Sequence, residues 1–398
     1  MSVNHVKRAF RYRFRPTRVQ AAELSRTFGC VRKVYNLALG SRTEAWARQE
    51  RVTYNQTSAM LTAWKKTEEL AYLNDVSSVP LQQTLRHLQS AFTNFLAKRA
   101  RYPRFKSRKK SRASAEYTSN AFRFRDGRLT LAKMSEPLDI VWSRPLPEGA
   151  RPTTVTVSQD SAGRWFVSLL CGDPSAKPLP ATGQAVGVDV GLDHLLTFST
   201  GEKIANPKHE RPDRTRLAKA QRSLARKAKG EGANRRRARL KVAKIHARIA
   251  DRRRDGLHKL TTRLVRENQT IVIEDLTVRN MVRNRTLARA ISDAAWAQFR
   301  DLLEYKAAWY GREVVAVDRF FPSSKLCSHC GSLREKLPLS VRTWTCDCGT
   351  IHDRDVNAAK NLLAAGLAVS ACGAGVRPQR RTPGGQSATK HEPSQREP

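Results

Sequence analysis

The chain has 398 residues, 40% of them hydrophobic, which is enough for two or three domains with substantial cores. Its 74 Lys and Arg outweigh 35 Asp and Glu, giving a formal net charge of +39 and a pI near 10.9. A folded chain this basic repels itself unless a polyanion screens it, so an ordinary metabolic enzyme is excluded and nucleic acid is the expected partner.

Residues 7–15, KRAFRYRFR, alternate strictly, with Phe10, Tyr12 and Phe14 on one face and arginines on the other. The pattern predicts a half-buried strand with a cationic outer face, ended by Pro16 and Thr17. From 17 to about 100 the spacing is helical, carried by Leu24, Phe28, Val31, Tyr35 and Leu39 and then by Leu81, Leu85, Leu88, Phe92 and Phe95. Tyr54, Ser58 and Gln82 are polar groups here that either touch DNA or serve as caps and solvated faces. Residues 98–112, KRARYPRFKSRKKSR, interleave a basic run with aromatics, so Arg101, Tyr102, Arg104, Phe105 and Lys106 are expected to meet nucleic acid by stacking and phosphate contact.

Residues 117–171 read as β structure. One hairpin spans 122–131 around a type I′ turn at Asp126-Gly127, and a second turns near 160–163. With the N-terminal strand these are expected to close a small barrel. A Pro-rich linker at 173–183 marks a domain boundary. Two strands follow at 184–201, then a very basic helical region at 208–268, broken at 230–232, with Leu240, Ile245, Ile249, Leu257, Leu260 and Leu264 as its thin apolar stripe. TIVIEDL at 270–276 predicts a buried strand ending in acids. A helix at 292–310, a strand at 313–317, a cysteine-rich stretch and a helix at 357–369 complete the pattern, and residues from 372 onward read as a disordered tail.

In AVGVDVG the period of two puts Gly187, Asp189 and Gly191 on one face, so the glycines are expected to leave Asp189 open to a metal and a phosphate. Glu274 and Asp275 point to opposite faces, so only one can join Asp189; Asp353 and Asp355 form the third acidic cluster. Carboxylates converging from separate strands and a helix make a hard oxygen site for Mg or Mn, typically two ions that serve phosphodiester hydrolysis. The order of strands, basic helices and acids is that of the ribonuclease H-like nuclease fold. Cys327-x2-Cys330-Gly and Cys346-x-Cys348-Gly, fifteen residues apart, suit a tetrahedral structural Zn site, with His329 or His352 as possible substitutes for the short second knuckle. Seven cysteines, an odd number with four in this cluster, suit a reducing cytoplasm rather than a disulfide framework; Cys30, Cys171 and Cys372 stand alone. No stretch approaches the ~20 apolar residues of a membrane span.

GVDVG (187–191), VIEDL (272–276), SDAAWAQFRDLLEYKAAWYG (292–311), FPSSKLCSHCG (321–331) and RTWTCDCGTIHDRDVNAAKNLL (342–363) together resemble the TnpB/OrfB family of transposon-encoded RNA-guided nucleases, relatives of type V CRISPR effectors. GCVRKVYNLAL, TYNQTS and the tail VSACGAGVRPQ extend the likeness over nearly the whole chain. The resemblance implies an α+β multidomain protein. It would comprise a first barrel strand (1–16), a helical recognition domain (17–105), a wedge-type β-barrel domain (106–180) and a RuvC-like nuclease domain with a basic helical region (181–320). A zinc ribbon (321–352), a last nuclease segment (353–371) and the tail (372–398) would follow. It implies an endonuclease guided by RNA from the transposon end, cutting target DNA beside a short motif in the bacterial cytoplasm, on the nucleoid. Carried over by motif, the Mg-binding triad is Asp189, Glu274 and Asp355, and the Zn ligands are Cys327, Cys330, Cys346 and Cys348. Base pairing by a guide would account for much Lys and Arg without an obvious helix-turn-helix. A strand-transferring transposase and a non-catalytic nucleic-acid-binding regulator are the alternatives.

Overall fold

Alternation builds the first strand: in β1 (Val6–Arg15) Phe10, Tyr12 and Phe14 are buried, while Arg13 and Arg15 stay exposed. The computed structural model describes residues 6–228, 230 and 232–371, so the expected tail and Cys372 lie outside the described residues. Thr17 caps α1 (Arg18–Ala47): its hydroxyl accepts from the Gln20 N–H, and the Gln20 side chain accepts from the Thr17 N–H. Thr53 and Gln56 repeat this reciprocal cap at α2 (Tyr54–Trp64), and α3 (Ser78–Leu96) carries Pro80 in its first turn, where no helical N–H is lost. The β structure then comprises β2 (Ala113–Thr118), β3 (Phe122–Arg125), β4 (Arg128–Leu131), β5 (Asp139–Val141), β6 (Pro152–Gln159) and β7 (Trp165–Asp173).

The chain parts into two compact units between Ala176 and Lys177, with Arg239–Lys244 grouped with the first. In the first unit β3 and β4 turn on Asp126 (φ 50°) and Gly127 (φ 71°), the paired left-handed residues that a type I′ turn requires. The remaining strands form a sheet in the order β2-β6-β7-β1-β5, antiparallel throughout. Among the described ladders none joins β2 to β5, so the sheet is open in its hydrogen bonding where a closed small barrel was expected. Tyr12, Tyr117, Val155 and Leu169 share one buried core with Leu24, Leu39, Leu81 and Leu85 of the helices.

The second unit contains β8 (Ala185–Val190), β9 (His194–Phe198), β10 (Lys203–Ala205), α4 (Arg214–Ala225), most of α5 (Ala233–Glu267) and β11 (Thr270–Glu274). After these come α6 (Val278–Met281), α7 (Ala288–Ala294), α8 (Trp296–Tyr310), β12 (Glu313–Val317), β13 (Thr343–Thr345), β14 (Ile351–Asp353) and α9 (Arg354–Ala371). Its sheet runs β10-β9-β8-β11-β12, antiparallel as far as β8 and parallel from β8 to β12, the ribonuclease H-like order. The helix expected over 292–310 is two helices, because Ala295 between α7 and α8 adopts a left-handed conformation (φ 55°). Ile245, Ile249, Leu257 and Leu264 are buried as the stripe predicts, but Leu240 stands 36% exposed. Among the described residues no helix is long and apolar enough to cross a membrane.

Helix α9 lies directly on this sheet. A Cβ on Gly187 would overlap the Ala359 carbonyl oxygen and come within 2.8 Å of the Leu363 nitrogen; one on Gly366 would meet the Val272 methyls at 2.5 Å. Gly187 is therefore needed for the backbone of α9 to approach β8, not to clear space for a phosphate as its position beside Asp189 suggested. Gly187→Ala is expected to cost roughly 1–3 kcal/mol by overpacking, read as a lowered urea midpoint; an unchanged midpoint would show that α9 can shift without penalty.

Candidate active site and metal centre

The glycine contacts fix which side of the sheet carries the acids. Gly187 and Asp189 share a face of β8, as Val272 and Glu274 share a face of β11, and Gly187 and Val272 both meet α9. Ile273 pairs with Val188, so Glu274 comes level with Asp189 one residue further along the parallel pair. Asp355 lies in the first turn of α9, one turn before Ala359. All three carboxylates line one cleft of about 510 Å³, with Arg319, Lys325, Arg342 and Arg354 among its other walls.

Burial, then the charges of Asp355 and Glu274, push the Asp189 carboxyl up to about 8, although Arg354 pulls it down. Asp189 is half-buried, opening on the cleft. Glu274 is also raised, by burial and then by Asp275. A cluster that holds its own acids against ionisation is one that a cation would relieve, and carboxylate oxygens are the donors that Mg and Mn prefer. Among the described residues only the four cysteines bring three or more ligating atoms within 4.8 Å of one another, so the acids are held further apart than that.

The neighbouring acids are already engaged. Asp275 is gripped by Arg300 at 2.6 Å and Arg319 at 2.7 Å, and these contacts outweigh burial to hold its carboxyl low. Asp353 takes Lys203 at 2.6 Å and accepts from the Val356 N–H at 3.0 Å, which caps α9; burial raises its carboxyl, but these contacts prevail and leave it lowered. Geometry thus separates Asp355, on the cleft, from Asp353, which is spent on a cap and an ion pair. Arg342 reaches Asp193 at 2.5 Å and Asp355 at 3.5 Å, a contact that its exposed, loop-borne position in the sequence did not reveal.

The cysteines form a second centre. Cys327 and Cys348 Sγ are 3.8 Å apart, Cys330 and Cys346 Sγ 3.7 Å. A tetrahedron with Zn–S near 2.3 Å requires S–S edges of about 3.8 Å, so the short CxC knuckle does not spoil the set. Gly331 (φ 77°) and Gly349 (φ 82°) occupy the left-handed positions that close each knuckle. The Ser332 hydroxyl lies 3.1 Å from both Cys330 and Cys346 Sγ and lowers both thiols, Cys330 to about 6, which favours the thiolates that a metal needs. His352 sits against the Cys327 sulfur at 3.0 Å rather than replacing a cysteine, and His329 is exposed. Buried Trp344 and Leu337 pack behind the cluster.

Two asparagines one turn apart on α9 tie this ribbon to the acid-bearing helix. Asn357 Nδ2 donates to the Leu326 carbonyl at 2.7 Å and its Oδ1 accepts from the Ser328 N–H at 3.0 Å. Asn361 Nδ2 donates to the Ser323 and Leu326 carbonyls at 2.8 and 2.7 Å. Both are buried, and Asn361→Ala removes the nearer donor of the Ser323 carbonyl and one of the two donors of the Leu326 carbonyl; we expect a loss of about 1–3 kcal/mol, visible as a lowered thermal midpoint, with zinc content unchanged. Loss of zinc as well would show that the knuckle depends on this contact.

The nucleic-acid candidates of the first unit are dispersed in role. Arg101, Arg104 and Gln82 are exposed, and Phe105 is 62% exposed. Tyr102, 40% exposed, packs edge-on against Phe92 and Phe95, and Lys106 lies 3.9 Å over the Tyr35 ring with its backbone bonded to Asn36. Tyr54 and Ser58 are half-buried on α2.

A curated relative from Streptomyces pristinaespiralis, described as a "Putative RNA-guided DNA endonuclease", is 71% identical over 98% of this chain and 97% of its own. Residues 154–285 match the OrfB family model, described as "Probable transposase". The chain belongs to the TnpB/OrfB family. The Escherichia coli K12 member of similar description, InsQ, is 34% identical over 92% of this chain and 94% of its own. Residues 296–362, which hold the cysteines and Asp355, match the Cas12f1-like TNB domain model. A solved structure described as the Cas12f1-sgRNA-target DNA complex aligns with a TM-score of 0.54 at 14% identity, over 86% of this chain and 82% of that one, a likeness of fold. Residues 1–51 of this TnpB-family chain match a model described as a helix-turn-helix domain; the described part folds as strand β1 and the single 30-residue helix α1.

Proposed function

We propose that this chain is an RNA-guided DNA endonuclease encoded by an insertion sequence, cutting DNA beside a short adjacent motif. Asp189, Glu274 and Asp355 are its catalytic acids. The observation that carries this reading is the shared cleft of three carboxylates from two strands and a helix, two of them held above their ordinary range. Asp189 and Glu274 ride on paired strands and Asp355 on the helix packed across them, so the acids are preorganised by the fold. Bound to these oxygens, two Mg or Mn ions would supply an activated water and charge stabilisation at a phosphodiester. Arg342, exposed beside the acids, offers cationic contact to the substrate's phosphates, while buried Arg354 offsets part of the acids' mutual repulsion.

The cysteine set reads as a structural Zn site, closed by four thiolates. A guide RNA from the transposon end would read sequence by base pairing, leaving the protein to hold backbones with its many Lys and Arg. The names of the curated relatives support this partner. In the domain plan, 17–105 would be the recognition region, 106–180 the wedge, 181–320 and 353–371 the RuvC-like nuclease, and 321–352 the ribbon. Tyr54, Ser58, Gln82, Arg101, Tyr102, Arg104, Phe105 and Lys106 are the candidates for nucleic-acid contact. The test is direct: protein purified with its co-purifying RNA and Mg should cut DNA bearing the matching sequence and motif. A failure to cut, or random RNA in the preparation, would overturn the reading.

A further inference from the structure

The cleft has a feature that phosphate hydrolysis does not need. Phe320 is 86% exposed and Leu339 is 79% exposed, and both line the walls around the three acids. The next residue, Phe321, packs against Val272, Val317 and Leu362, so one member of the Phe pair is spent on the core and the other is left in solvent. Phe320 does not hang on a loose loop. Its N–H donates to Asp318 Oδ1 at 2.9 Å, the Phe321 N–H donates to the Asp318 carbonyl at 3.0 Å, and Arg319 between them is anchored to Asp275 and Thr277. Leu339 is held likewise: the Val341 N–H and the Arg354 guanidinium both donate to the carbonyl of Pro338, the residue before it.

A sugar-phosphate backbone offers such groups only the small C–H faces of its sugars, and its phosphates pair with cations such as Lys325 and Arg342 of the cleft. The large flat apolar face of nucleic acid is the base, and in a duplex that face is covered by the stack, so an exposed ring meets a whole base face where the base is unpaired. Resting on the nuclease reading above, we propose that Phe320, with Leu339, forms a stacking site for one unpaired nucleobase of the strand being cut. Stacking there fixes the register of the strand, and hence which phosphodiester lies against Asp189, Glu274 and Asp355.

The test uses the full chain with its co-purified RNA and a series of target DNAs, each with one abasic nucleotide near the cut. Phe320→Ala should slow cleavage about 5- to 150-fold, the range that base–aromatic stacking supports, and Phe320→Trp should restore most of it. One abasic position should slow the native chain by the same factor yet leave Phe320→Ala unaffected, because the two changes remove the same contact. Phe320→Ala cutting at the native rate, or slowing without coupling to any abasic position, overturns the stacking site while leaving the nuclease reading intact. A second measurement is independent of cleavage: single-stranded DNA carrying 2-aminopurine at the coupled position, or scanned along the strand if nothing is cut, is bound to the Asp189→Asn chain. Quenching that disappears when Phe320→Ala is added supports the stack; the same fluorescence in both chains at every position overturns it.

Discussion

Asp189→Asn is expected to abolish DNA cleavage, by at least ~10³-fold as for other essential catalytic groups, and at the same time to stabilise the metal-free chain at alkaline pH. The two effects have one cause. Burial and the charges of Asp355 and Glu274 raise the Asp189 carboxyl to about 8, against an ordinary value near 4. Between those pH values the folded chain holds a proton that the unfolded chain has released, so stability falls as pH rises through the window, and the loss is complete above about 8. Asn carries no charge, so it removes this penalty: in the absence of divalent metal its thermal midpoint should exceed the native one by roughly 2–4 °C at pH 9 and match it near pH 4. Mg should narrow the gap by stabilising the native chain alone. DNA binding, measured by gel shift with the guide RNA, should survive. A midpoint at pH 9 unchanged by the substitution would mean that neither burial nor the neighbouring acids hold the Asp189 carboxyl up, and full cleavage by Asp189→Asn would remove it from the active site.

Asp189 stood out as a candidate because chemistry limits what an Asp near the end of a valine-rich β-strand can be, whereas Asp355 was preferred to Asp353 on the family resemblance. Val186, Val188 and Val190 announce the strand, and a carboxylate among them is costly unless a cation shares the site. The helix start at Thr17 and the turn at Asp126-Gly127 were legible for a related reason, as local hydrogen bonding and backbone conformation decide them. What the sequence hid depends on which residues meet across the fold. Gly187 reads as clearance for Asp189 until α9 is seen lying on it. Asn357 and Asn361 look like helix-surface polar residues, and only the packed loop at 323–328 shows that both are buried donors. Ala295 carries no turn signal, yet breaks a periodic helix, because tertiary packing overrode its preference. Phe320 could not be distinguished from its half-buried neighbour Phe321 by composition or spacing.

Zinc removal is expected to silence the enzyme without touching a catalytic acid. The hydrogen bonds of Asn357 and Asn361 to 323–328, and of buried Arg354 to the Leu337 and Pro338 carbonyls, join α9 to the segments on either side of the first knuckle. Those segments have only a small apolar core of their own, Leu337 and Trp344 beside Cys327 and Cys346. A core that small does not order a ribbon, whereas Zn in small thiolate sites contributes on the order of 10 kcal/mol of folding free energy. Cys346→Ser should therefore lower zinc content from one ion per chain towards zero, and raise hydrogen exchange across 323–353 to near that of an unfolded segment. Cleavage should fall at least ~100-fold, since Asp355 loses the contacts that hold its helix turn against β8, and a displacement of about 1 Å suffices for such a loss. Excess Mg should not rescue it, because the defect lies in where Asp355 is held rather than in how tightly metal binds. Cys346→Ser that retains zinc and cleaves normally would place the metal, if any, on fewer thiolates; loss of zinc with full cleavage would show instead that the asparagine clamp holds α9 unaided.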